Sequence, residues 1–219
     1  MLSRLGRTLV VSLLALAPAA AHAGPPLICH PMAIGSSPSL AWGSGSGWKN
    51  PLPGYDRSRL AADTKALLGP QTPVLARMET LRRAVVYAST DAAAASALFA
   101  ALRERSAQSP GDPLATFDLG YAVAAWGEMQ HASERRVAGT VPTEDGYALV
   151  RRALAARGTD PEMEYAAALI TGRQPAGPAD EHLRRAVAGA GEGSLLAATI
   201  DAHRHLWGGR AEALRASSR

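Results

Sequence analysis

From Asp56 to Trp207, apolar residues return every three or four positions, and the runs are punctuated by Asp, Pro and Gly. That spacing lines up the apolar side chains on one face of an α-helix. No stretch carries the period of two that a half-buried strand needs. A chain patterned in this way is confined to an all-α fold, with antiparallel helix pairs joined by short turns.

Capping chemistry sets the expected boundaries. Asp56 opens a helix that buries Leu60, Thr64, Leu67 and Leu68 and ends near Gly69-Pro70. Thr72-Pro73 opens the next, with Pro in the first turn, where a missing N–H costs nothing. Its stripe is Val74, Met78, Leu81 and Val85. Asp91 starts a third helix with Ala95, Leu98 and Leu102 inward, and Asp112-Pro113 a fourth with Leu114, Phe117, Tyr121 and Ala125. Residues 131–142 read as a polar loop. Thr143 begins a fifth helix with Tyr147, Val150 and Leu154, and Asp160-Pro161 a sixth with Tyr165 and Leu169, closed by Gly172. Residues 173–178 form a Gly/Pro loop. Two more helices are expected near 180–190 and 194–207, the last with Leu196, Ile200, His203 and Trp207 on one side.

Residues 1–23 read as an address. Arg4 and Arg7 precede the apolar run Thr8–Leu16, and Ala21-His22-Ala23 offers small residues at −3 and −1 of a cleavage site. The run is short of the roughly 20 residues a spanning helix needs. The expectation is a signal peptide cut after Ala23, a periplasmic or secreted destination, and no membrane span in the mature chain. Cleavage lowers the formal charge from +4 to +2, and the remaining Arg residues are interleaved with Asp and Glu. No concentrated basic stripe exists for nucleic acid.

Residues 24–55 differ from the rest. Gly35-Ser36-Ser37-Pro38 and Gly43-Ser44-Gly45-Ser46-Gly47 break any helical period, yet Trp42 and Trp48 lie among them. This composition predicts an irregular arm that docks its aromatics on a helical domain spanning 56–219. A flexible tail is the other reading.

A motif recurs along the helical part: Leu81-Arg82-Arg83-Ala84-Val85, Val150-Arg151-Arg152-Ala153-Leu154 and Leu183-Arg184-Arg185-Ala186-Val187. The capping Asp112 and Asp160 are each followed by Pro and, five residues on, by an aromatic, Phe117 or Tyr165. In a helix–turn–helix unit of this kind the apolar positions face the neighbouring helix, the Ala keeps that contact close, and the Arg pair flanks it. Such units bury their apolar faces by stacking. The stretch Tyr147–Tyr165, together with Leu119-Gly120, resembles a tetratricopeptide-like α-hairpin repeat. Its Ala153–Pro161 interval is longer than that family's turn, and one motif interval, 33 residues, is near the family period. The resemblance implies a short α-solenoid whose concave face binds a protein or peptide. The chain as a whole also resembles exported helical proteins of Gram-negative bacteria, a resemblance that implies no activity.

Chemistry-bearing residues are few. Glu79 stands four before Arg83, the order that supports an exposed ion pair on a helix. It also fits a polar groove lip in which Arg82 or Arg83 holds a ligand carboxylate bidentately. Asp118, between Phe117 and Leu119, stands either at the border of the apolar face or in a pocket with Tyr121 and Trp126. If buried, it needs a partner, and an Arg is expected. Glu79, Arg82, Arg83, Asp118, Tyr121 and Trp126 are therefore the candidate partner-binding residues. Cys29-His30-Pro31 offers an alternative, a metal or enzyme site built on Cys29 and His30 beside a helical pocket, for which further ligands are required. His203 reads as a core histidine, and His205, two residues on, points elsewhere on a regular helix. No cofactor motif and no catalytic constellation is present, and no reaction is inferred. The function expected is that of an exported helical-repeat scaffold for a protein or peptide partner in the cell envelope.

Overall fold

A computed structural model describes residues 26–44, 50–132, 142–172, 178–211 and 216. The expected leader at 1–23, Trp48, the centre of the expected 131–142 loop and residues 173–177 lie outside the described residues. All regular structure among the described residues is helical. One turn, α1 (Pro26–Cys29), precedes a 3-10 turn at Arg57–Arg59. The body is α2 (Leu60–Leu67), α3 (Val74–Ala88), α4 (Ala92–Gln108), α5 (Pro113–Ala132), α6 (Gly146–Arg157), α7 (Pro161–Thr171), α8 (Ala179–Gly189), α9 (Leu195–Ala202) and α10 (Arg204–Trp207).

The caps explain most starts. The side chain of Asp91 accepts from the Ala94 N–H, Asp145 from Ala148, Asp160 from Glu162 and Met163, and Ser194 from Ala197. Each supplies one of the acceptors that the first helical turn lacks. Three boundaries differ from the sequence reading. Asp56 caps the 3-10 turn, and α2 follows it. Pro73 is the residue before α3 and not part of its first turn. The fifth helix begins at Gly146, because Asp145 and not Thr143 supplies its cap.

The pair α5 and α6 packs through glycine. A Cβ on Gly146 would stand 2.6 Å from the Gly120 carbonyl oxygen, and one on Gly120 would stand 2.7 Å from the Leu149 Cβ. Backbone meets backbone here, so only hydrogen fits at both positions. Helices α7 and α8 form the other closely packed pair, with Gly189 against Pro161.

Most of the expected inward residues are inside: Leu60, Thr64, Met78, Leu81, Val85, Leu98, Leu102, Phe117, Tyr121, Val150, Tyr165, Leu169, Ile200 and Trp207 are buried, while Leu67 and Tyr147 are half-buried against the core. They belong to one core that also takes in Leu27, Ile28, Met32 and Leu40 from the segment before the body. That segment completes the burial of α3, in which every residue except Arg83 is buried. A helix buried on all sides is covered on all sides, and here the outer cover comes from residues 26–44.

Candidate functional site

The side chains of α3 that face this cover are Glu79, Thr80, Arg82, Arg83 and Tyr87. Glu79 and Arg82 form a bidentate fork, Nε to Oε2 at 2.8 Å and Nη2 to Oε1 at 2.7 Å, and Arg83 Nε adds a bond to Oε1 at 2.7 Å. The Glu79 and Arg82 side chains are each 1% exposed. Burial opposes ionisation of Glu79, but the two guanidiniums outweigh it and hold the carboxyl below its ordinary range. The Glu79–Arg83 pair is thus not a solvated pair on an outer face, and Arg82 presents no fork to solvent.

These charges face main chain. Arg82 Nη1 donates to the Ile28 carbonyl at 3.1 Å, and the Met32 N–H donates to Glu79 Oε2 at 3.1 Å. Arg83 Nη1 donates to the Leu40 carbonyl at 2.5 Å, and the Tyr87 hydroxyl to the Ala41 carbonyl at 2.7 Å. Other helices contribute. The Leu27 N–H donates to Glu128 of α5 at 2.7 Å, and the Ala33 N–H to the Thr199 hydroxyl of α9 at 3.0 Å. His203, at the end of α9, donates from Nε2 to the Pro31 carbonyl at 3.1 Å. The segment turns at Gly35, whose φ of +57° lies in the left-handed region that suits glycine. It then returns along α3, where Trp42 packs edge-on to Tyr87 under the guanidiniums of Arg82 and Arg83. Seven main-chain groups between Leu27 and Ala41 are thereby met by side chains of the helical body, a groove that grips backbone.

Tyr121 and Trp126 lie under this groove. Both are buried, and neither the Tyr121 hydroxyl nor Trp126 Nε1 has a hydrogen-bond partner among the described residues. Burial, with Glu128 and Glu79 nearby, pushes the Tyr121 hydroxyl well above its ordinary value. Trp126 packs edge-on to Phe99 and also lines an open cavity of about 430 Å³ beside Leu27, Glu128 and Tyr147. Asp118 stands apart from the groove. It is fully buried and bound by Arg77 Nη1 at 2.6 Å and by Arg105. Burial raises its carboxyl, against the pull of both guanidiniums. Arg77 is itself completely buried and also donates to the Thr72 and Gly69 carbonyls, so this pair fastens α5 to the start of α3. Of the six partner-binding candidates, Glu79, Arg82 and Arg83 come together under the arm, Tyr121 and Trp126 lie beneath it, and Asp118 belongs to a separate ion cluster.

Cys29 and His30 lie on the arm, both half-buried. The His30 ring packs 5.4 Å from that of His203 and 4.7 Å from that of His205. The expectation that His203 and His205 diverge assumed a regular helix over 194–207. The helix instead breaks at His203, between α9 and α10, and both rings meet His30. Among the described residues no group of three or more His, Cys, Asp or Glu has the geometry to hold a metal ion. His203 accepts from the Tyr165 hydroxyl at Nδ1, 2.8 Å, while Nε2 carries the proton toward Pro31. Burial lowers its pKa from 6.5 to about 4.

A second polar cluster had no signal in the sequence beyond its residue types. Tyr147 meets His182 Nε2 at 2.8 Å, His182 Nδ1 meets Glu164 at 2.5 Å, and Arg185 reaches Glu164 at 3.3 Å. These groups tie α6, α7 and α8 together beside an open cavity of about 380 Å³. The fork of α3 recurs there: Glu181 holds Arg184 at 2.6 Å and Arg185 at 2.8 Å, but all three side chains are about half exposed. The same local sequence is therefore buried where the arm crosses it and solvated where no described residue does.

No protein-family model, no curated protein and no solved structure matches this chain.

Proposed function

We propose that the chain is an exported helical scaffold that binds a protein or peptide partner in the cell envelope. One observation carries this reading. The helical body holds an irregular polypeptide segment by donating to and accepting from its main chain, a mode of recognition by shape and hydrogen-bond placement. The recurring Arg-Arg-Ala motif and the close packing of α5 on α6 and of α7 on α8 support a repeat of helical hairpins related to the tetratricopeptide pattern. The leader at 1–23 supports delivery to the periplasm or beyond. No described helix is long and apolar enough to cross a membrane. The two large apolar side chains most exposed to solvent among the described residues are Leu52, on the arm, whose N–H donates to Tyr87, and Leu195, which faces Gly35 of the arm. Their exposure favours a contact region around the arm.

The test uses the full chain in cells, with a photo-crosslinking residue at position 195. The expected result is exported protein whose N-terminus is Gly24, cross-linked to a discrete partner that binds again when both are purified. Retention in the cytoplasm with the leader intact overturns the exported reading. Failure of the purified pair to bind overturns the scaffold reading.

A further inference from the structure

The groove is defined by what fills it. In the limb Leu27–Ala33, five main-chain groups are held by side chains from three helices, and three side chains, Leu27, Ile28 and Met32, are buried beneath. The main-chain bonds are indifferent to the identity of the residue that offers them. Selection therefore falls on the three apolar positions: two adjacent, and a third four residues after the second. Any segment with that pattern presents the same groups to Glu128, Arg82, His203, Glu79 and Thr199.

The energetics place the resident limb near balance. Each hydrogen bond is worth about 1 kcal/mol net, and each buried apolar side chain about 2 kcal/mol. Ordering each residue of the limb costs about 1–2 kcal/mol. These are of the same size over seven residues, so most of the advantage of the resident limb comes from its tether to the body. A competing segment must overcome that effective concentration, which is in the millimolar range for a short flexible linker. The tether of the limb is the stretch through the turn at Gly35 to Leu40, whose carbonyl Arg83 holds.

We propose that the groove between α3, α5 and the end of α9 is a peptide-binding site for a short segment of another protein, with residues 27–33 as its resident occupant. This rests on the scaffold reading and names the partner's chemistry: an uncharged stretch of about seven residues with an apolar pair followed four residues later by another apolar side chain. When such a segment enters, the resident limb leaves. Glu79 and Arg82 keep their fork, and their outward hydrogen bonds pass to the incoming main chain.

The experiment uses the full chain carrying Ile28→Asp, which puts a carboxylate at a fully buried apolar position and is designed to expel the resident limb. A fluorescent peptide of residues 26–34, kept reduced, serves as probe, and the same peptide with Ile28 and Met32 replaced by Asp is the control. The I28D chain is expected to retain its helical circular dichroism and cooperative melting, and to bind the probe at least tenfold tighter than the unaltered chain does. The control peptide is expected not to bind. A displayed peptide library selected on the I28D chain is expected to return the spaced apolar pattern. Loss of cooperative melting in I28D overturns the proposal, because the helical body then cannot stay folded without the limb. So does a folded I28D chain that ignores the probe, a library without the pattern, or reciprocal exchange of arms between two copies. An envelope partner that binds the unaltered chain through another face leaves the scaffold reading standing while this proposal falls.

Discussion

His203 donates a hydrogen bond from Nε2 to the carbonyl of Pro31, 172 residues earlier in the chain, while its other ring nitrogen accepts from Tyr165. In the neutral ring both nitrogens are thereby satisfied, and burial opposes adding a charge. A second proton at Nδ1 would face the Tyr165 hydroxyl and the neighbouring rings of His30 and His205, with Glu79 the nearby group that favours it.

This predicts a stability that falls with acid. The His203 pKa is lowered to about 4 in the folded chain, so the unfolded chain binds the extra proton first as pH falls below 6.5. Stability is complete above that value and is lost progressively toward pH 4, by on the order of 3 kcal/mol. The carboxyl of Glu79, depressed in the folded chain, adds a further loss below its unfolded value of 4.5. Urea midpoints measured between pH 7 and pH 4 should show this slope, and His203→Gln should flatten the part above pH 5.

Arg82 and Arg83 are neighbours with unequal burial, 1% and 20% exposed at the side chain. Arg82→Met removes both bonds of the fork from a buried carboxylate and is expected to cost about 3 kcal/mol or more. Arg83→Met leaves the fork intact and is expected to cost about 1 kcal/mol. Denaturant unfolding of the two variants compares them directly, and equal losses would refute the distinction.

The pair Arg77–Asp118 behaves as a unit. Asp118→Leu strands a buried guanidinium and is expected to cost about 3–5 kcal/mol. Adding Arg77→Met should recover part of that loss, so the double variant is more stable than the sum of the singles implies. Additive losses in a double-mutant cycle would show that the two side chains act independently.

Gly120→Ala and Gly146→Ala each force α5 and α6 apart and are expected to cost about 1–3 kcal/mol. Gly127, on the same helix, has nothing within 4 Å of its Cβ position. Gly127→Ala should be neutral or stabilise by up to about 1 kcal/mol, since Ala is the better helix former. Thermal melts of the three variants separate close approach from helix propensity.

Helices were readable from the chain because their signals are local. The Asp caps and the three-to-four apolar spacing place α4, α7 and the inward faces of α5 and α6 within a residue or two. The need of Asp118 for an arginine was also readable, since a buried carboxylate without a cation is costly. Which arginines serve was not: Arg77 is 41 residues away and looked like one more polar residue of an amphipathic helix. The burial of Glu79 and Arg82 was hidden for the same reason. Periodicity reports the face a helix turns to its core, and the outer face of α3 is covered by a segment with no period. His205 was misplaced because the break at His203 leaves no Pro or Gly at the spot to announce it.

The bond from His203 to Pro31 also orders events during synthesis. The acceptor segment leaves the ribosome first, and the imidazole that grips it is made after nearly everything else. A nascent chain must therefore carry Leu27, Ile28 and Met32 with their pocket incomplete until α9 emerges. Chains stopped short of residue 195 lack both Thr199 and the imidazole, and they should expose that oily stretch to chaperones.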